Sequence, residues 1–376
     1  MAMTWEELEA KPGWQGIRAI VDRDIRRAFA DLPPPQTDPK GRPKGVQAII
    51  GGAGGLFLLL FAGTFLVLPT NGFGDFLRFI LFIPLFFASI ALSLYLNRKK
   101  LLAWLLQAKV RYVARAKALD RVARHLGLSY VARPGGEHPA LAWLSKQSWL
   151  PREASAAIAG LPASELTMID AVTALREAGI MGREPIVIAT DAQKQQIEDQ
   201  YLQSLPVEDG FHGVRGGVAF DAFEWIERVE DDPDIYHLAI VLTLPRPVNG
   251  LVELRARNIG WLAHKDAPPL SRVDLASKAF DERFRLRSAD QVEARTLFDP
   301  RVVERLLAVA HGQSFRAVAR NRHLVFDVEG EDRFALLDAN TGAWDDTTLR
   351  RGLTDLVETL ELVDALATTF RTARPA

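Results

Sequence analysis

Residues 283–310, RFRLRSADQVEARTLFDPRVVERLLAVA, contain the change of period that decides the fold class. Arg283, Phe284, Arg285, Leu286 and Arg287 alternate, so a strand here sets three guanidinium groups on one face and two apolar side chains on the other. The period then lengthens. Asp299 has the character of a helix N-cap with Pro300 at the first helical position, and Val303, Leu306, Leu307 and Ala310 recur as the buried stripe of a short helix.

The same alternation extends in both directions. Pro185–Thr190, Phe220–Ile226, Ile235–Leu244, Leu251–Ala256 and Ile259–Ala263 precede it; Phe315–Ala319, His323–Val328 and Arg333–Leu337 follow. All are rich in β-branched or aromatic residues and punctuated by Pro, Gly, Asp and Asn, which predicts an antiparallel α+β body. From Asp346 to Arg371, Leu349, Leu353, Leu356, Leu360, Val363, Ala367 and Phe370 fall at alternating steps of four and three. That stripe suits packing on the sheet, with a self-association seam as the alternative. Gly210, Gly213, Gly216 and Gly217 invite a phosphate-loop reading, but no Lys-Ser or Lys-Thr follows, and a tight hairpin explains them better.

Towards the N-terminus the chemistry changes. Val46–Leu68 and Phe79–Leu96 are apolar runs free of Asp, Glu, Lys and His. The first reaches about 35 Å as a helix, against a hydrocarbon core of roughly 30 Å. Lys40, Arg42 and Lys44 stand before the first run and Arg98, Lys99 and Lys100 after the second, while Pro69–Asp75 between them carries no basic residue. By the positive-inside rule this predicts a transmembrane helical hairpin with both termini cytoplasmic. Those six cations are then the candidate anionic-lipid contacts. Arg78 can snorkel, and Gly51 with Gly55 permits close approach to the other span or to a second copy in a homodimer.

Four regions follow: residues 1–45, an amphipathic helix and a Pro/Gly linker; 46–97, the hairpin; 98–150, a basic juxtamembrane helical stalk; and 151–376, the cytosolic α+β domain with its C-terminal helix. Ile17, Ile20, Val21, Ile25, Ala28, Phe29 and Leu32 recur at helical spacing near the start, and their mixed-charge polar face favours docking on the body over lying on lipid. The formal net charge of −1 conceals a balance of +9 over residues 98–150 and −11 beyond them. A basic collar beside an anionic leaflet fits that segregation, and the acidic body argues against nucleic acid as a partner. Cysteine is absent, which excludes disulfides and thiolate metal sites.

The stretches Phe280–Phe284, Ser288–Arg295 and Leu297–Pro300 resemble the signature of a bacterial two-span membrane protein family catalogued as domain of unknown function 3137. Asp209–Glu224, with Gly213, Gly217, Phe220 and Glu224, resembles its earlier block. The resemblance implies an anchored cytoplasmic domain with no assigned activity and, through gene neighbours in the family, a LemA-like membrane protein as partner.

Catalytic chemistry is not legible. Seven histidines are scattered without an HExxH or other close ligand pair, and no GxSxG elbow appears. Glu293 and Arg295, read on a strand, share a face as a structural ion pair or join the arginines of 283–287. No catalytic, cofactor or metal-binding residue is nominated, and no cofactor is expected. The expectation is a membrane-anchored cytosolic binding or scaffold protein with the bilayer and a protein as partners. The alternatives are a membrane-face enzyme acting on lipid or nucleotide and a transporter accessory subunit.

Overall fold

The computed structural model describes residues 2–30, 52, 54–62, 64, 72–132, 168–180, 207–227, 235–258, 269–275, 278–334 and 345–372. The strands expected at Pro185–Thr190 and Ile259–Ala263, and the linker carrying Lys40, Arg42 and Lys44, lie outside these residues; at Arg98, Lys99 and Lys100 the backbone is helical. The chain divides into two compact units. One comprises Met1–Arg27, Arg115–Leu336 and Asp346–Ala376; the other comprises Ala28–Ala114 and Leu337–Asp345.

The larger unit is built on one antiparallel sheet. In chain order its strands are β1 (Ser129–Val131), β2 (Val207–Arg215), β3 (Val218–Glu227), β4 (Ile235–Thr243), β5 (Leu251–Ala256), β6 (Ser271–Val273), β7 (Phe284–Ser288), β8 (Phe315–Arg320) and β9 (His323–Gly330). Their spatial order is β1-β2-β3-β4-β9-β8-β5-β7-β6, so the β8–β9 hairpin inserts between β4 and β5. The helices are α1 (Trp5–Glu9), α2 (Ile17–Ile20), α3 (Arg26–Ala30), α4 (Gly72–His125), α5 (Ile169–Glu177), α6 (Lys278–Arg283), α7 (Gln291–Leu297), α8 (Pro300–Ala310) and α9 (Asp346–Thr372), with a π-turn, Val21–Ile25, joining α2 to α3.

Alternation gives the sheet two apolar faces. On one, Val172 and Leu175 of α5 pack with Phe223, Trp225, Ala239, Val241 and Val325. On the other lie α8 and α9. Leu349, Leu353, Leu356, Leu360, Val363, Ala367 and Phe370 are all buried, so the heptad-like stripe of α9 serves the fold of this unit. Thr4 and Glu7 form a reciprocal capping box at α1, and Ile17, Val21 and Ile25 are fully buried, so the amphipathic N-terminal segment docks. Asp299 caps α8 through the N–H groups of Arg301 and Val302, with Pro300 at its start.

Local readings shift in three places. Arg283 ends α6, so β7 presents Arg285 and Arg287 alone on its polar face, and Arg287 donates to the buried Glu253 on β5. Glu293 and Arg295 lie on α7, where residues two apart diverge, and Glu293 pairs with Arg246 at 3.0 Å. Residues 333–334 form a turn in place of the start of a strand.

In the smaller unit the residues 54–62 are helical and run against α4. Phe57 meets Phe82 and Phe86 edge-on at 5.0 and 5.6 Å, Phe61 meets Phe82 at 5.5 Å, and Gly52 faces Ser93 Oγ. Partner numbers rise on one segment as they fall on the other, which makes the pair antiparallel. Ser89 and Thr64 are buried and donate to the carbonyls of Leu85 and Phe61, while Leu58, Leu59, Ile83, Phe87 and Leu96 are more than half exposed. Among the described residues no helical stretch is long and apolar enough to cross a membrane.

Candidate functional site

Two polar constellations meet on the α8–α9 face of the sheet, and both lie within the larger unit. The inner one is built around Arg115, near the C-terminal end of α4. Its guanidinium bonds Asp209 on β2, lies 3.3 Å from Asp332 and reaches to 4.0 Å of Glu224 on β3. Asp209 and Glu224 are wholly buried. A register shift between Glu208 and Phe211 puts Asp209 in a left-handed conformation, φ 50°, which turns its carboxylate onto Arg115 and the Tyr130 hydroxyl. Glu224 Oε1 accepts the N–H of Arg333 at 2.7 Å, whereas Oε2 has no hydrogen-bond partner among the described residues.

Three carboxylates around one guanidinium, two of them, Asp209 and Glu224, fully buried, leave an excess of negative charge. Burial, before the neighbouring Asp332 and Asp209, holds Glu224 well above the usual carboxylate range. Burial also raises Asp209, and the guanidinium and phenol on it compensate only in part. Glu224 and Asp209 therefore hold protons more tightly than free carboxylates do.

Asp332 and Arg333 also line the outer constellation, an open cavity of about 490 Å³ shared with His311, Arg351, Thr354 and Asp355. His311 is the C-cap of α8 and takes a left-handed conformation, φ 46°, which directs its ring to α9. There Asp355 and Glu358, three apart, share one helix face. His311 Nε2 hydrogen-bonds Glu358 and Nδ1 stands 3.6 Å from Asp355 Oδ1. One ligand atom from each of the three lies within 4.8 Å of the others. Burial, ahead of the charges around it, pushes the Asp355 carboxyl up to about 6. Arg333 donates to the carbonyl of Val309 at 2.6 Å, and Arg351 faces Glu331 at 3.6 Å, so both guanidinium groups are already engaged.

On the other face of the sheet Asp327 is closed off. It accepts from Trp225 Nε1 and Arg316 Nε, both at 2.9 Å, and His237, stacked on Trp225, approaches it at 3.2 Å. This is a structural network under α5.

The cations nominated from sequence, Arg98, Lys99 and Lys100, are together on helical backbone, and Lys40, Arg42 and Lys44 are outside the described residues. His311 was missed because its companions lie a whole helix away in sequence; a histidine directly after an apolar helix stripe is the only local signal.

Residues 238–368 match the model of a family described as Protein of unknown function (DUF3137). This domain runs from β4 to near the end of α9, so it includes His311, Asp355 and Glu358, while the block at Asp209–Glu224 and the two apolar runs fall outside it. No curated protein matches the chain. Among solved structures, that of the mycobacterial trehalose monomycolate transport factor A, TtfA, is similar at 13% identity over 55% of this chain and 97% of that one, with a TM-score of 0.28.

Proposed function

We propose that the protein is a two-span anchor at the bacterial inner membrane that presents its α+β body to the cytosol as a binding module. The observation that carries this reading is the antiparallel helical pair of the smaller unit. Its Thr64 and Ser89 hydroxyls turn inward and bond locally, while Leu58, Leu59, Ile83 and Phe87 turn outward. Such a surface would be a liability in water and is ordinary in hydrocarbon. The basic flanks at Lys40, Arg42, Lys44 and Arg98, Lys99, Lys100 support an orientation with both termini inside and offer contacts to anionic headgroups. The body offers an open polar cavity, which suits recognition of a protein partner.

Alkaline washing of native membranes followed by flotation tests the anchor: the chain is expected to remain in the floated fraction, and release into the wash would end the reading. A reporter active only outside the cytoplasm, fused after Ala376, is expected to stay silent. Photo-crosslinking from Gln313, at the cavity, tests the binding role through a reproducible adduct with one partner.

A second reading rests on the cavity itself. His311, Asp355 and Asp332 converge there with Arg333 and Arg351, the residue types a membrane-face enzyme acting on a phosphate-bearing lipid or nucleotide requires. Turnover of such substrates that is lost in His311→Asn favours it over simple binding.

A further inference from the structure

We propose that His311 and Asp355 bind a divalent cation of the zinc type in the cavity between α8 and α9, with Glu358 fixing the imidazole from behind. The inference depends on neither the anchor nor the binding role proposed above. It begins with the tautomer. With its single proton on Nε2, where Glu358 accepts, the ring turns the lone pair of Nδ1 outward. That lone pair faces Asp355 Oδ1 at 3.6 Å. Asp355 is only 3% exposed, and Oδ1 has no hydrogen-bond partner among the described residues. In that tautomer the Nδ1 lone pair and Oδ1 face each other as acceptors, an arrangement that a cation placed between them satisfies.

The separation suits a metal ion. Two ligands at 2.0–2.2 Å on one tetrahedral ion stand about 3.4 Å apart. A hydrogen bond to a carboxylate on the far nitrogen is the usual device that orients a metal-binding histidine and raises its basicity. The mixture of imidazole and carboxylate favours zinc-type ions over magnesium, which prefers oxygen and its own water. The cavity side of the pair is open, so water or a ligand's anionic group can complete the coordination. Arg333 and Arg351 line the same cavity, and each also has a partner of its own, the Val309 carbonyl and Glu331.

The test uses the full-length chain purified in detergent without a histidine tag, titrated with Zn2+ and, separately, Mg2+ by calorimetry. The expected result is one Zn2+ per chain and no comparable Mg2+ binding. His311→Asn removes the ligand while keeping a residue that tolerates the left-handed backbone, and Asp355→Asn removes the charge; each is expected to abolish the site. Glu358→Ala is expected to weaken it by about 10–100-fold. Thermal melts without metal establish that each variant is folded, and His311→Asn remains decisive should Asp355→Asn fail to fold. Binding that is unchanged in folded His311→Asn, or no Zn2+ binding to the unaltered chain at 100-fold excess, overturns the proposal. So does an imidazole shown by nitrogen chemical shifts to remain doubly protonated when saturating Zn2+ is present.

Discussion

Glu224 and Asp327 are buried to the same degree on opposite faces of one sheet, yet they respond to pH in opposite senses. Glu224 has an incomplete set of partners, and burial raises its pKa. Its contribution to stability is therefore fully present below the unfolded value, roughly pH 4.3, and is lost as pH rises through the folded value. Glu224→Gln keeps an acceptor for Arg333 N–H and removes the titration. The variant's Tm relative to the unaltered chain is expected to improve between pH 5 and pH 8, and a constant difference would refute the assignment. For Asp327, burial also favours the neutral form, but His237, Arg316 and Trp225 outweigh it and lower the pKa. Its contribution is present above the unfolded value and is lost as pH falls through the folded one. Asp327→Asn leaves Arg316 beneath α5 without its counter-charge, and a loss of about 3–5 kcal/mol is expected at pH 7, narrowing in acid. Denaturant unfolding at both pH values measures it.

At the scale of elements, strand and helix identities were legible wherever one face alone is apolar. Leu251–Ala256 matches β5, Asp346–Arg371 differs from α9 by one residue, and the Asp299–Pro300 start of α8 is capped as read. β2 was legible only as a glycine-rich turn, because Asp209, Gly210 and Gly213 interrupt its pattern. Those interruptions are the bulge that aims Asp209 at Arg115, and a close approach in which a Cβ at Gly213 would meet Leu128 at 2.5 Å. β1, β6 and α5 were missed for a different reason: they are too short to show a period. The hairpin between β2 and β3 makes a sharper prediction. Gly216 and Gly217 both have positive φ, 56° and 85°, as a two-residue turn of the type I′ class requires. A Cβ on Gly216 would lie 2.8 Å from Ala367 Cβ on α9. Gly216→Ala therefore meets backbone strain and a collision together, and is expected to cost about 2–4 kcal/mol. Gly217→Ala meets strain alone, so its penalty is expected to be smaller. Comparing the two melting temperatures checks the ordering.

Across the whole molecule, the candidate site was illegible because no local rule joins its parts. His311 lies in the loop after one helix, Asp355 within another, and Arg115 belongs to a helix that the sequence presents as a membrane-proximal stalk. Packing of α9 on α8 brings Asp355 to His311, β2 and β3 carry Asp209 and Glu224 to Arg115, and the N-terminal segment holds α9. Met3 N donates to Thr354 Oγ1, Arg350 donates to the Met3 carbonyl, and Glu361 bridges Lys11 and Arg305 at 2.7 and 2.8 Å. The ion pairs are half open to solvent, so Glu361→Gln is expected to cost only about 1 kcal/mol. Apolar burial dominates the attachment: Trp5, Leu8 and Trp14 are at most 9% exposed, and each such side chain contributes about 1.5–3 kcal/mol. Removing residues 2–16 is thus expected to destabilise the body by on the order of 6 kcal/mol. Because Ala2 and Thr354 both line the cavity, hydrogen exchange is expected to accelerate first along α9 around Thr354 and Asp355. If the truncated chain instead melts with the intact one and protects α9 equally, the segment is an appendage and the cavity is built without it.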